Sequence, residues 1–112
     1  MKKIANKHLG GDTLKDLLVS KKPVLLEVRE NKSCCSHLIA PVIFRIENEF
    51  DNSIKVVRID YESHKEILQK LEVESFPSIV LLKGGKVMKK INGTISRGNL
   101  KSLVMELLNH QN

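Results

Sequence analysis

The feature that most constrains the fold is a short apolar run directly after Pro23, with the sequence Val24-Leu25-Leu26-Glu27-Val28. Strands that keep one face in water alternate polar and apolar residues, whereas a nearly continuous apolar run indicates a strand that is buried on both faces. Such strands belong to sheets that are covered by helices on both sides. The run therefore predicts a central strand of an α/β sheet, and the rest of the chain has to supply the covering helices.

Helical and strand patterns alternate through the rest of the chain. Helices are predicted over 12–19, from Ser33 to about Phe50 with a kink at Pro41, from the capping box Ser63-x-x-Glu66 to about Leu71, and along the stripe Leu100 to Leu108. Strands are predicted over 24–28, 54–60, 79–82 and 87–91, with a further one near Ile4 and a hairpin at Gly84-Gly85. The order predicts one α/β domain over 1–112, with a mixed sheet of four to five strands flanked by four helices.

The net charge of +6 raises the question of a nucleic-acid or membrane partner. The lysines, however, are spread from Lys2 to Lys101, and the chain has three Phe, one Tyr and no Trp. A surface on which bases stack needs aromatic side chains within a basic groove, and none is visible. This pattern favours a solvated lysine-rich surface, so no nucleic-acid partner is expected.

The first residues, Met1 to His8, are basic and no apolar run follows them, as a secretory signal would require. No segment approaches the roughly 20 apolar residues that span a bilayer. We therefore expect a cytoplasmic protein without a membrane partner.

Four motifs keep one register along the chain, namely Ile39-Ala40-Pro41, Phe76-Pro77-Ser78, Lys83-Gly84-Gly85-Lys86 and Gly93. Together they resemble the thioredoxin family from about Pro23 to Leu108, which implies a thioredoxin fold. In that register the two cysteines of the family's Cys-x-x-Cys site fall at Ser33 and Ser36. Cys34 and Cys35 occupy the two positions between them.

The resemblance also assigns roles around the site. Glu27 falls at the family's buried carboxylate, a candidate proton relay, and Arg58 falls at a nearby lysine. Pro77 matches a cis-proline that faces the active site. Lys32 stands where the family has tryptophan, and with Phe76, Pro77 and Gly93 it would line a groove for an extended segment of a protein. The other interpretation of Glu27 is a carboxylate at a strand end that reaches solvent or pairs with Arg58 or Lys32.

The two cysteines are the candidate catalytic thiols, because a helix N-terminus lowers the pKa of a thiol. Ser33 carries no thiol and is better suited to capping the helix. Cys34, nearer the helix start, is the better candidate; the other interpretation is that Cys34 and Cys35 are small residues that fill local space. A disulfide between them is disfavoured, since adjacent Cα atoms lie about 3.8 Å apart and disulfides need about 4.4–6.8 Å.

Metal binding is not expected, because Cys34, Cys35 and His37 supply at most three of the four ligands of a zinc site. No cofactor is expected either. Two functions stay open. The first is a thiol–disulfide oxidoreductase that uses one thiol of Cys34 or Cys35 and is resolved by glutathione, another external thiol or a thioredoxin reductase. The second is a catalytically inactive binding or scaffold module that keeps the groove around Pro77.

Overall fold

A computed structural model of the chain describes residues 20–30, 36–73 and 76–109, with backbone alone at 36 and 37. The elements are β1 (Val24–Arg29), α1 (Ser36–Glu49), β2 (Lys55–Asp60), a 3₁₀ turn (Tyr61–Ser63), α2 (Lys65–Lys70), β3 (Ser78–Lys83), β4 (Lys86–Asn92) and α3 (Arg97–Asn109).

The four strands form one mixed sheet in the order β2-β1-β3-β4. β1 runs parallel to β2 and antiparallel to β3, and β4 returns antiparallel to β3. The β3–β4 hairpin turns through Gly84 and Gly85, whose φ angles of 60° and 82° lie in the left-handed region that tight hairpin turns require. The structure thus confirms the predicted central position of the apolar run and the predicted hairpin.

Side chains from the two faces of the sheet enter separate core layers. On one face, α2 packs over alternate residues of β1, β2 and β3, and the layer contains Val24, Leu26, Val28, Val57, Ile59, Leu68, Val73, Val80 and Leu82. On the other face, α1 and α3 cover the layer formed by Leu25, Ile39, Ile43, Ile46, Ile54, Ile79, Leu81, Leu100, Val104 and Leu107. All five residues of the run from Val24 to Val28 are buried, because β1 feeds both layers.

Ion pairs connect α1 to α3 outside this core. Glu49 is the last residue of α1; its Oε2 lies 2.6 Å from Lys101 Nζ and its Oε1 lies 3.2 Å from Arg97 Nη1. The hydrogen bond from Lys101, together with the charges of both cations, holds the pKa of Glu49 below its ordinary value. The contact fixes the C-terminal end of α1 relative to the start of α3.

One predicted local motif is wrong. Ser63 does not cap the following helix, because its hydroxyl donates to Asp60 Oδ2 at 3.2 Å and residues 61–63 form a 3₁₀ turn. The helix begins at Lys65 with His64 as its N-cap residue, and no side chain caps it. The local Ser63–Asp60 bond competes with the capping bond for the same hydroxyl.

Three other predictions fall outside the described residues, namely the helix over 12–19, the strand near Ile4 and the helix start at Ser33. Within the described ranges, no helix is both long and apolar enough to cross a membrane.

Candidate functional site

One edge of the sheet brings together Phe76, Pro77 and Gly93, three of the four residues that the sequence assigned to the groove; the fourth, Lys32, lies outside the described residues. Because β1 and β3 are antiparallel, Val28 near the end of β1 pairs with Ser78 at the start of β3. Ser78 also pairs with Asn92, the last residue of β4. The backbone N–H of Gly93 donates to the carbonyl of Pro77 at 2.8 Å, and the Phe76–Pro77 peptide bond is cis. The end of β1 therefore lies beside Pro77 and Gly93.

Phe76 contributes to this edge mainly through its backbone. Its half-buried ring packs against the core layer under α2 and meets the ring of Tyr61, with centroids 4.8 Å apart and planes tilted by 60°. Such tilted contacts between aromatic rings are favourable. Tyr61 directly follows β2, so the pair joins the ends of two segments at the same edge.

Gly93 closes the edge with a backbone that favours glycine, because its φ is +86°. A Cβ at this position would meet no described atom within 4 Å. The glycine is therefore required by its backbone conformation rather than by crowding.

Helix α1 crosses over between the parallel strands β1 and β2, so its first described turn lies towards the edge at which β1 ends. Its first described residue is Ser36, and its first turn contains no acidic side chain. The N-terminus of a helix carries the positive end of the helix dipole, which favours anionic groups. Lys32, Ser33, Cys34 and Cys35 lie outside the described residues.

Glu27 is the buried charged side chain of β1 and is 0% exposed. It lies on the face of the sheet covered by α1, because it alternates with Leu26 and Val28 of the opposite layer. Its register partners are Arg58 on β2 and Ile79 on β3. Arg58 Nε approaches Glu27 Oε1 to 3.2 Å, which makes an ion pair. The carboxyl of Glu27 is therefore buried and paired with Arg58 rather than reaching solvent, and its role as a proton relay stays a prediction.

Burial raises the pKa of Glu27 above its ordinary value, because the ionised carboxylate loses its hydration. The positive charges of Arg29 and Arg58 oppose this effect without cancelling it. Neither carboxylate oxygen of Glu27 accepts a hydrogen bond of good geometry from the residues the structure describes. The raised pKa makes this side chain a candidate for taking up and releasing a proton.

Sequence reasoning missed two residues of this region, Glu47 and Tyr61. Glu47 Oε1 accepts a hydrogen bond of 3.0 Å from Arg58 Nη2, so Arg58 joins two carboxylates. No spacing in the sequence links Glu47 to Arg58. The position of Tyr61, in contrast, could have been predicted from the sequence, because Tyr61 follows a strand parallel to β1 and parallel strands end at the same edge of a sheet.

The buried carboxyl of Glu27 is a candidate group for proton transfer. Over residues 20–30, 36–73 and 76–109, no group of three or more His, Cys, Asp or Glu side chains is placed to hold a metal ion. The buried carboxyl of Glu27 lies on the face of the sheet that α1 covers, and it is paired with Arg58.

Comparisons with known proteins agree with this geometry. Residues 7–106 match the family model described as Thioredoxin. The chain is 30% identical over 94 residues to the mitochondrial thioredoxin domain-containing protein of Dictyostelium discoideum, covering 84% of this chain and 72% of that protein. It is 31% identical over 85 residues to the bifunctional thioredoxin reductase/thioredoxin of Mycobacterium leprae, covering 76% of this chain and 19% of that protein.

Among solved structures, the fold matches a chain from a study of the thiol-resolving mechanism of yeast mitochondrial 1-Cys peroxiredoxin via glutathione and thioredoxin systems. The TM-score is 0.78, the sequence identity is 17%, and the match covers 88% of this chain and 92% of that chain. At this identity the likeness shows the fold alone.

Proposed function

The chain belongs to the thioredoxin family of thiol–disulfide oxidoreductases, and on this premise we propose that it reduces disulfides by a cycle that uses one thiol, Cys34 or Cys35. The observation that carries the proposal is the position of Glu27, which is buried on the face covered by α1, on the strand that leads to the cysteines. A buried carboxyl with a raised pKa in this position is a suitable proton relay for a thiol.

The sequence just before α1 supports a reactive thiol. Cys34 and Cys35 directly precede Ser36, where the described part of the 14-residue helix starts. The positive end of the helix dipole stabilises a thiolate, which is the nucleophilic form of cysteine. Cys34 is the first candidate, and we expect Ser33 to cap the helix rather than to act as a nucleophile.

The cycle balances with glutathione as the external reductant. The thiolate attacks the sulfur of a protein–glutathione disulfide, so a new disulfide to glutathione forms and the substrate leaves as a thiolate, which takes up a proton. A second glutathione thiolate then attacks the enzyme–glutathione disulfide, releasing oxidised glutathione and restoring the enzyme thiolate. The net reaction converts one mixed disulfide and one glutathione thiol into one protein thiol and oxidised glutathione.

Glu27 would supply the proton that the leaving thiolate takes up, because its raised pKa favours the neutral carboxyl, and the incoming glutathione thiol would return that proton when it ionises. The groove at the same edge would hold the substrate as an extended segment beside Phe76, Pro77 and Gly93. Lys32, next to the motif, would add a positive charge beside the thiols.

A reductase is the other reductant that fits the family. The Mycobacterium leprae relative is named as a bifunctional thioredoxin reductase/thioredoxin, and the solved structural match comes from a study of glutathione and thioredoxin systems. We propose glutathione first, because resolution by an external thiol does not need a second cysteine that closes an unstrained disulfide.

The test is reduction of a glutathionylated protein by glutathione, with wild type, Cys34→Ser, Cys35→Ser and the double variant compared. We expect one of the two single variants to keep most of the wild-type rate. The other single variant and the double variant should lose it. The same variants with thioredoxin reductase and NADPH distinguish the two reductants. If wild type is no faster than the double variant with either reductant, the proposal is wrong.

A second function is favoured by the serines at both family cysteine positions, Ser33 and Ser36. Without thiols there, the chain would act as a binding or scaffold module that uses the groove around Pro77. The two functions differ in one observable. A binding module keeps partner affinity in the double cysteine variant and loses it when Lys32 is replaced, whereas the oxidoreductase loses turnover in the double variant.

A further inference from the structure

Arg58 is held from both ends of its guanidinium. Nε lies 3.2 Å from Oε1 of the fully buried Glu27 on β1, and Nη2 lies 3.0 Å from Oε1 of Glu47 on α1. The exposed fractions of the side chains rise from 0% at Glu27 through 21% at Arg58 to 43% at Glu47. The three side chains therefore form a row from the interior to the surface, with Arg58 in the middle.

We propose that Glu47 is a positioning residue, which holds the Arg58 guanidinium against the Glu27 carboxyl. An arginine side chain is long and mobile, and its free energy of hydration favours turning a partly exposed guanidinium towards water. The contact with Glu47 offsets that tendency, because it gives the outer nitrogen a charged partner in the position that keeps Nε near Glu27. Glu47 has no contact with Glu27 at hydrogen-bond distance and acts through Arg58.

Among the residues that the structure describes, the charged groups that act on Glu27 come from three elements. Arg29 lies on its own strand, Arg58 on β2 and Glu47 on α1. On β3 the register partner of Glu27 is the apolar Ile79, and the buried residues of α3 are all apolar. Glu47 acts in two opposite directions on Glu27, since its negative charge raises the pKa of Glu27 directly, whereas holding Arg58 in place lowers it.

The experiment separates these two effects with two substitutions. Glu47→Gln removes the charge but leaves an amide oxygen that accepts the bond from Arg58 Nη2, whereas Glu47→Ala removes the bond as well. Asn48→Ala, at the exposed neighbouring position, is the control for placing an alanine on this part of α1. The readout is the pKa of Glu27, followed by the carboxyl ¹³C shift during a pH titration of the full-length protein.

We expect Glu47→Ala to raise the pKa of Glu27, Glu47→Gln to leave it unchanged or lower it, and Asn48→Ala to leave it unchanged. A shift of the same sign in the Ala and Gln variants at position 47 would show that Glu47 acts through its charge alone and would overturn the proposal. The absence of a shift in Glu47→Ala would overturn it as well. The consequence for catalysis rests on the proposed function, but this titration does not, because it needs no turnover.

Discussion

Arg58 and Glu27 face each other across two paired parallel strands, with Nε of the arginine 3.2 Å from Oε1 of the glutamate. The carboxyl is completely buried and the arginine is partly exposed, so the pair connects the interior of the sheet with the surface beside α1. Removing one partner of such a pair leaves a buried charge without compensation, which is costly. Arg58 therefore partly offsets the burial of the ionised carboxylate and lowers the proton affinity of Glu27.

The raised pKa of the buried Glu27 carboxyl should make the free energy of unfolding depend on pH. Folding raises the pKa of Glu27. Its contribution to the free energy of unfolding is therefore fully present below the pKa that Glu27 has in the unfolded chain, and it is lost as the pH rises through the raised pKa of the folded state. Each unit of the shift amounts to about 1.4 kcal/mol. Glu27→Gln should therefore gain stability relative to wild type as the pH rises from about 4 to 9.

Urea unfolding across this pH range measures the difference directly. Glu66→Gln, at an exposed position on α2, is the control for the loss of one carboxylate. A constant difference between Glu27→Gln and wild type at every pH would contradict the raised pKa.

Packing of α1 on the sheet should depend on its buried side chains and not on its exposed ones. Ile43 is 0% exposed within the layer that α1 and α3 cover. Ile43→Ala should lower the free energy of unfolding by about 2–5 kcal/mol, because it leaves a cavity. The neighbouring Phe44 is 59% exposed, so Phe44→Ala should change it by no more than about 0.5 kcal/mol. Denaturant titration of both variants tests the placement of α1, and equal losses would refute it.

The left-handed backbone at Gly93 predicts that a side chain at this position destabilises the fold without a steric clash. Gly93→Ala should destabilise the protein by about 1–2 kcal/mol, since an L-residue is strained at φ +86°. Gly98 lies in the first turn of α3, where an added Cβ also meets no described atom. Gly98→Ala should be neutral or stabilising by up to about 1 kcal/mol. Thermal unfolding of the Gly93→Ala and Gly98→Ala variants measures the difference. Similar destabilisation of both variants would contradict the role of the backbone conformation at Gly93.

The fold was predictable because its main signals are local in sequence. The apolar run from Val24 to Val28 predicted the central strand, Gly84-Gly85 predicted the hairpin, and the stripe from Leu100 predicted α3. The start of α2 was not predictable in the same way, because the Ser63 hydroxyl has two local alternatives, donating to the Asp60 carboxylate or accepting from the backbone N–H of Glu66, and the sequence does not decide between them.

The site was predictable only in part, for a physical reason. The burial of Glu27 follows from its place in an apolar strand, and its contact with Arg58 follows from the pairing of β1 with β2. The contact between Arg58 and Glu47 depends on how α1 crosses the sheet, which no periodicity in the sequence encodes. Sequence patterns find the elements and their register, whereas contacts between layers need the three-dimensional structure.

The central claim is that a single cysteine of this chain forms a mixed disulfide during turnover. Intact-mass analysis of wild type, Cys34→Ser and Cys35→Ser after brief exposure to a glutathionylated protein tests it most directly. We expect wild type and one of the two variants to gain the mass of one glutathionyl group, and the other variant to gain none. Added glutathione should remove the gained group. An unmodified wild type, or equal labelling of both single variants, would contradict it.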